Sequence, residues 1–164
     1  MNLHIRPLKI TDNVELAALI RTVFREFKID RPGTVYTDPT TDDLFALFKG
    51  EKSSYWVAEV DGTIAGGCGI YPTPGLPADH AELVKFYLLQ NFRGLGIGRK
   101  LLEACFTSAK EKGFSNLYLE SFPELDTAVG MYQKVGFRHI SAPMGNSGHY
   151  ACTIWMVKEI EYGN

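Results

Sequence analysis

Arg93-Gly94-Leu95-Gly96-Ile97-Gly98 stands between a β-rich run ending at Leu89 and the most regular helical pattern in the chain. In that pattern Ile97, Leu101, Cys105 and Ala109 recur every four residues, and Lys110, Lys112 and Gly113 supply a basic last turn and a stop. A helix N-terminus offers unpaired N–H groups and the positive end of a dipole, so glycines that bring backbone close to a ligand there make an anion site. Arg93 and Arg99 add cationic donors, and pyrophosphate is the natural guest. Two familiar glycine loops fail on spacing. The dinucleotide pattern G-x-G-x-x-G needs a glycine at position 101, which is Leu101, and no G-K-[ST] of a Walker A loop occurs anywhere.

Working outward, Tyr55 to Val60 and Thr63 to Tyr71 are β-rich runs joined by Asp61-Gly62, a strong hairpin signal. The prolines at 72, 74 and 77 make the next stretch a loop, and Ala81 to Leu89 a further strand. Upstream, Leu3 to Leu8 reads as a strand. Asp12 or Asn13 caps a helix with Leu16, Leu19, Ile20, Val23 and Phe27 on one face. A loop from Asp30 to Pro39 leads to a short helix opening at Thr41-Asp42-Asp43-Leu44. Downstream come a strand over Asn116 to Ser121, a helix over Pro123 to Val135 stopped by Gly136, and strands over Phe137 to Ala142 and Tyr150 to Ile160. The order β-α-α-β-β-β-α-β-α-β-β, without repeats or linkers, predicts one α/β domain over residues 1–164. Its single mixed sheet is flanked by helices.

Composition narrows the partners. With 45% apolar and 22% charged residues in 164, the chain has an ordinary globular composition. A net charge of −2 lacks the basic excess that nucleic acid demands. Cys68, Cys105 and Cys152 are odd in number and widely spaced, which fits reduced thiols and a cytoplasmic setting better than disulfides or zinc. The four histidines show no metal-ligand spacing, so no metal is expected, and no run reaches the ~20 apolar residues of a membrane span.

The segment R-x-x-G-x-G after a strand reading Glu82-Leu83-Val84-Lys85-Phe86-Tyr87-Leu88 resembles motif A of the GNAT N-acetyltransferase superfamily. Ala128, Tyr132 and Gly136-Phe137 resemble the family's A-x-x-x-Y-x-x-x-G-F segment in the expected place downstream. Leu125 departs from the pattern, since many members carry there an asparagine that contacts the pantetheine arm of the cofactor. The resemblance implies the GNAT fold, with a largely antiparallel sheet, and acetyl-CoA as acyl donor for a primary amine, attacked directly within a ternary complex. Implied for cofactor binding are Phe86, Tyr87, Leu88, Arg93, Gly94, Leu95, Gly96, Ile97, Gly98 and Arg99.

The resemblance further implies that the strand before the loop splays from its neighbour at a bulge and pairs its freed backbone with the pantetheine arm. It makes Glu82 the implied base, with Glu120 as rival, and Tyr132 the hydrogen-bond donor to the departing sulfur. An amine with pKa ~10.4 must lose a proton before it attacks, so some base is required. A nucleophilic cysteine is the less attractive route, Cys152 reading as a small buried residue of the last strand. The acceptor, a small-molecule or peptide amine, is expected among three loops, Ile29 to Asp38, Tyr71 to His80 and Pro143 to His149. Their Asp30, Arg31, Tyr36, Asp38, Asp79 and His80 carry no single sign of charge. His80 and His149 are read as loop residues lining the acceptor side. A non-catalytic acyl-CoA sensor is the competing expectation, and the exposed edge of the last strands offers a route to a homodimer.

Overall fold

The computed structural model describes residues 1–161. Seven strands form one sheet: β1 (Leu3–Pro7), β2 (Ser54–Val60), β3 (Thr63–Tyr71), β4 (His80–Leu88), β5 (Asn116–Ser121), β6 (Arg138–Ile140) and β7 (Ile154–Glu159). Four helices accompany them: α1 (Asn13–Glu26), α2 (Leu44–Leu47), α3 (Ile97–Glu111) and α4 (Asp126–Lys134). The strand order is β1-β2-β3-β4-β5-β7-β6. Every neighbouring pair is antiparallel except β4 and β5. The predicted element order and the mixed, largely antiparallel sheet are both present. No helix among the described residues is long and apolar enough to cross a membrane.

The sheet separates two apolar clusters. On one face Ile97, Leu101, Cys105 and Ala109 of α3, the four residues that gave the helical period, pack with Val129 and Tyr132 of α4. On the other face Leu16, Leu19, Ile20 and Val23 of α1 pack with Leu44, Phe48 and Val57. The expected cap of α1 is replaced by an ion pair: both Asp12 carboxylate oxygens accept from Arg6, at 2.9 Å each. The last strand starts later than the sequence suggests. Cys152 N–H donates to the His149 carbonyl and Ala151 N–H to that of Gly33, so the chain turns at 150–151, and Thr153 N–H reaches the Ser121 carbonyl just before β7 begins at Ile154.

The centre of the sheet is irregular where β3 meets β4. Gly67 pairs with Tyr87 but Gly69 with Val84, so Lys85 and Phe86 stand opposite the single residue Cys68. This is a bulge, and Lys85 adopts a left-handed φ of 53° within it. The extra residue changes which face each side chain takes. Leu83 and Phe86 belong to the α3 side, while Val84 and Tyr87 belong to the α1 side. Just before the bulge β4 leaves β5: their pairing ends at Glu82 opposite Tyr118, although both strands continue.

A side chain two strands away closes the bulge. Tyr55 of β2 lies across β3, and its hydroxyl donates to the Lys85 carbonyl at 2.8 Å. A Cβ on Gly67 would stand 2.4 Å from the Tyr55 ring, and one on Gly69 2.6 Å from it, so these two positions must be bare for the ring to pass. The Tyr55→Phe variant leaves the Lys85 carbonyl without this donor. It is expected to lose about 1–3 kcal/mol of stability, read from urea unfolding midpoints. An unchanged midpoint would show that the bulge does not depend on Tyr55.

Candidate active site

The parting of β4 from β5 opens two voids that share Phe86, Tyr87 and Leu125. The larger is a cleft of about 560 Å³ between the end of β4, the start of α3 and the flank of α4. Phe86, Tyr87, Leu88, Arg93, Gly94, Gly96, Gly98 and Arg99 line it, together with Ala128, Met131 and Lys134 of α4. The smaller is a chamber of about 50 Å³ between β4 and β5, lined by Glu82, Lys85, Glu120, Tyr132, His149 and Cys152 among others.

The glycines of the loop do two kinds of work. Gly94 and Gly96 have φ of 77° and 82°, a left-handed turn that swings the chain into α3. Gly98 lies inside α3 and serves close approach. A Cβ there would meet the Phe86 ring at 3.1 Å and Leu88 at 3.3 Å. Gly96, the residue before α3, makes no side-chain cap, so the first-turn N–H groups face the cleft without an internal side-chain acceptor.

Not every residue expected at the loop faces the cleft. Ile97 is 1% exposed in the core, and Leu95 is 52% exposed outside the cleft. Arg93 reaches the cleft, yet its guanidinium is already engaged. It donates to the Leu88 carbonyl at 2.7 and 3.0 Å and forms a two-pronged pair with Glu26 at 2.6 and 2.8 Å. Arg93 therefore ties the loop to β4 and α1. Arg99, paired only loosely with Glu103 at 3.3 Å, and Lys134 are the exposed cations at the cleft.

The chamber is charged and enclosed. Glu82 is 4% exposed, and its carboxylate accepts from the Thr73 hydroxyl at 2.6 Å. Burial raises its pKa to about 7, and the Glu120 carboxylate adds to the rise, against the opposing pull of Thr73 and Lys85. Glu120 accepts from the hydroxyls of Tyr118 at 2.7 Å and Ser147 at 2.5 Å. Asp38 and His149 meet at 2.8 Å. Burial acts to raise the Asp38 pKa, but hydrogen bonds from His149 and Thr40 outweigh it and bring the value to about 2.

Tyr132 is buried against Phe86 and Phe137, with ring centroids 5.9 and 5.8 Å away. Burial first, then the thiols of Cys68 and Cys105, hold its phenol well above the ordinary range. Burial and the two glutamates push the Cys152 thiol up to about 12, so it is not a ready nucleophile. The three loops expected around the acceptor converge through Asp38 with His149, Thr73 with Glu82, Ser147 with Glu120 and Asn146 N–H with the Pro74 carbonyl. His80 is the exception. It opens β4 opposite Asn116, where the strands are still paired, and its ring bonds Asp79 at 2.7 Å. Sequence reasoning passed over Lys85 and Thr73. The one available signal was a lysine inside the run Leu83-Val84-Lys85-Phe86-Tyr87-Leu88-Leu89.

The family model described as Acetyltransferase (GNAT) family matches residues 19–137. The chain belongs to the GNAT acetyltransferase family. It is 36% identical over 156 residues to the uncharacterised N-acetyltransferase YjgM of Escherichia coli (strain K12), across 94% of this chain and 93% of that protein. A GNAT acetyltransferase from Staphylococcus aureus Mu50 shares the fold with a TM-score of 0.85 at 22% identity, over 98% of this chain and all (100%) of that one. The PaiA N-acetyltransferase of Thermoplasma acidophilum, solved with coenzyme A, superposes with a TM-score of 0.74 at 20% identity, over 97% and 99% of the two chains. The GNAT chain described here is thus an N-acetyltransferase by family. Among its described residues no group of three or more His, Cys, Asp and Glu is placed to hold a metal.

Because the Glu82 pKa rises from 4.5 to about 7 on folding, the folded chain holds a proton that the unfolded chain has lost between those values. The stability this gives is present below pH 4.5 and lost as the pH rises through 7. Glu82→Gln, which mimics the protonated side chain, is expected to gain stability relative to the parent across that window by about 3 kcal/mol. Urea melts at stepped pH measure it, and a stability difference independent of pH contradicts the raised value.

Proposed function

We propose that the chain transfers an acetyl group from acetyl-CoA to a primary amine by direct attack, with both substrates bound at once. The observation that carries this reading is the pair of voids meeting at the parted end of β4, with an acidic chamber on one side and a glycine-lined cleft on the other. In this reading the cleft takes the donor. The α3 N-terminus with Gly94, Gly96, Gly98 and Arg99 holds the pyrophosphate, and the backbone of Phe86, Tyr87 and Leu88 holds the pantetheine arm. The chamber takes the amine, so that nucleophile and thioester face each other at Phe86 and Tyr87.

The amine arrives as an ammonium ion, and Glu82 takes its proton. Transfer from pKa ~10.4 to a carboxylate near 7 is uphill by roughly 5 kcal/mol, against roughly 8 for an ordinary glutamate, so burial makes Glu82 the better base. The freed nitrogen bonds to the thioester carbonyl carbon, whose oxygen gathers charge that backbone N–H groups at the bulge stabilise. Such a donor is worth ~3 kcal/mol in other enzymes. The carbon–sulfur bond then breaks with the electron pair leaving on sulfur, and the nitrogen, which still carries two protons after attack, gives one of them to the thiolate, so that the amide and the free thiol are the products. Tyr132, whose pKa lies far above that of a thiol, donates a hydrogen bond to this sulfur rather than surrendering its proton.

Thiol release from acetyl-CoA against a panel of primary amines tests the reading, beside a thermal shift by CoA alone. Stabilisation by CoA and turnover of at least one amine are expected. Stabilisation without turnover of any amine favours a non-catalytic acyl-CoA sensor. Within the catalytic reading, Tyr132→Phe is expected to lower kcat about 10-fold or more while the KM for acetyl-CoA changes less than threefold. Equal kcat in the variant removes Tyr132 from the reaction.

A further inference from the structure

The mechanism leaves the lysine of the chamber unused. Lys85 is 6% exposed and lines the chamber from the bulge of β4. An ammonium group has three donors and no acceptor. Among the described residues the Lys85 side chain makes no hydrogen bond or ion pair, and Tyr55 engages only its backbone carbonyl. The carboxylates nearby are committed elsewhere. Asp38 is bonded to His149 and Thr40, Glu82 to Thr73, and Glu120 to Tyr118 and Ser147.

A buried cation without a direct partner is costly, and the left-handed backbone at this position is more readily adopted by glycine or asparagine than by lysine. Neither the bulge nor the packing asks for an ammonium group here. An anion supplied from outside would satisfy it. Burial holds the Lys85 pKa below its ordinary value while Asp38 and Glu82 pull it back up, so a bound anion would restore the charged form.

We propose that the acceptor is a free amino acid whose carboxylate binds Lys85 in the chamber while its amine meets Glu82, three residues earlier on the same strand. The proposal rests on the acetyl-transfer reading and names its substrate class. A chamber of about 50 Å³ holds little more than a carboxylate and amine head group, with the remainder of the molecule passing out between the three loops. The same lysine disfavours polyamines, whose second ammonium would meet a like charge.

The test pairs each of the nineteen protein amino acids that carry a primary amine with its decarboxylated amine, for example leucine with isopentylamine and lysine with cadaverine. Thiol release from acetyl-CoA is the readout. For the preferred side chain the acid is expected to exceed the amine at least 30-fold in kcat/KM, mainly through KM. In Lys85→Met that ratio falls toward one, and Lys85→Arg restores part of it. Amines turned over as well as their acids by the parent protein, or a ratio that survives in Lys85→Met, overturn the proposal. Should no compound release thiol, the acetyl-transfer reading fails, and calorimetric titration of the CoA-saturated protein with the same pairs judges the lysine by itself. Acids bound at least 30-fold tighter than amines in the parent but not in Lys85→Met support it, and equal binding overturns it. If Lys85→Met does not fold, the parent's own ratio decides.

Discussion

Strand β4 cannot satisfy both of its neighbours along its whole length, and the rest of the molecule is arranged around that conflict. It stays paired with β3 to its end at Leu88, yet its parallel pairing with β5 stops after Glu82. One extra residue at the bulge bends the strand away and leaves backbone groups that a regular sheet would have used up. The cleft and the chamber exist because of this departure. So does the placement of their linings, since the bulge sends Phe86 to the α3 side and Tyr87 to the α1 side of the same strand.

Holding such an irregularity in the middle of a sheet requires support from outside the strand. Tyr55 gives it from one side by reaching over Gly67 and Gly69 to the Lys85 carbonyl. Arg93 gives it from the other by closing on the Leu88 carbonyl while Glu26 of α1 holds its outer edge. The arginine of the glycine loop therefore acts first as a strut between loop, strand and helix. The more exposed cations at the cleft are Arg99 and Lys134. Two glycines of the loop answer to backbone conformation and one to close packing, a division of labour that spacing alone does not reveal.

The chamber shows how burial sets the chemistry of ordinary side chains. Within one small volume the same low-dielectric surroundings raise a carboxyl, raise a thiol and lower an ammonium. Asp38 escapes the trend because His149 and Thr40 supply donors. Glu82 follows the trend because Thr73 supplies only one. Which carboxyl is raised thus depends on hydrogen-bond supply, and His149, Thr73 and Ser147 each reach their carboxylate from a loop.

The amino-acid sequence by itself determined the order of the elements, the helix carrying Ile97, Leu101, Cys105 and Ala109, and the glycine-rich turn before it. These are local matters: hydrophobic period, turn residues and helix ends act over a few positions, and a single chain displays them directly. The A-x-x-x-Y-x-x-x-G-F segment then supplied the family. Only the tertiary structure decided that Arg93 is a strut, that His80 stands outside the chamber, that the chain turns at 150–151 before β7, and that Lys85 enters the site with no hydrogen-bonded or ion-paired partner among the described residues. Each of these depends on which residues from remote segments meet across β4. A left-handed lysine, a carbonyl capped from two strands away and a carboxylate fed by a loop threonine are products of contacts that leave no period in the sequence.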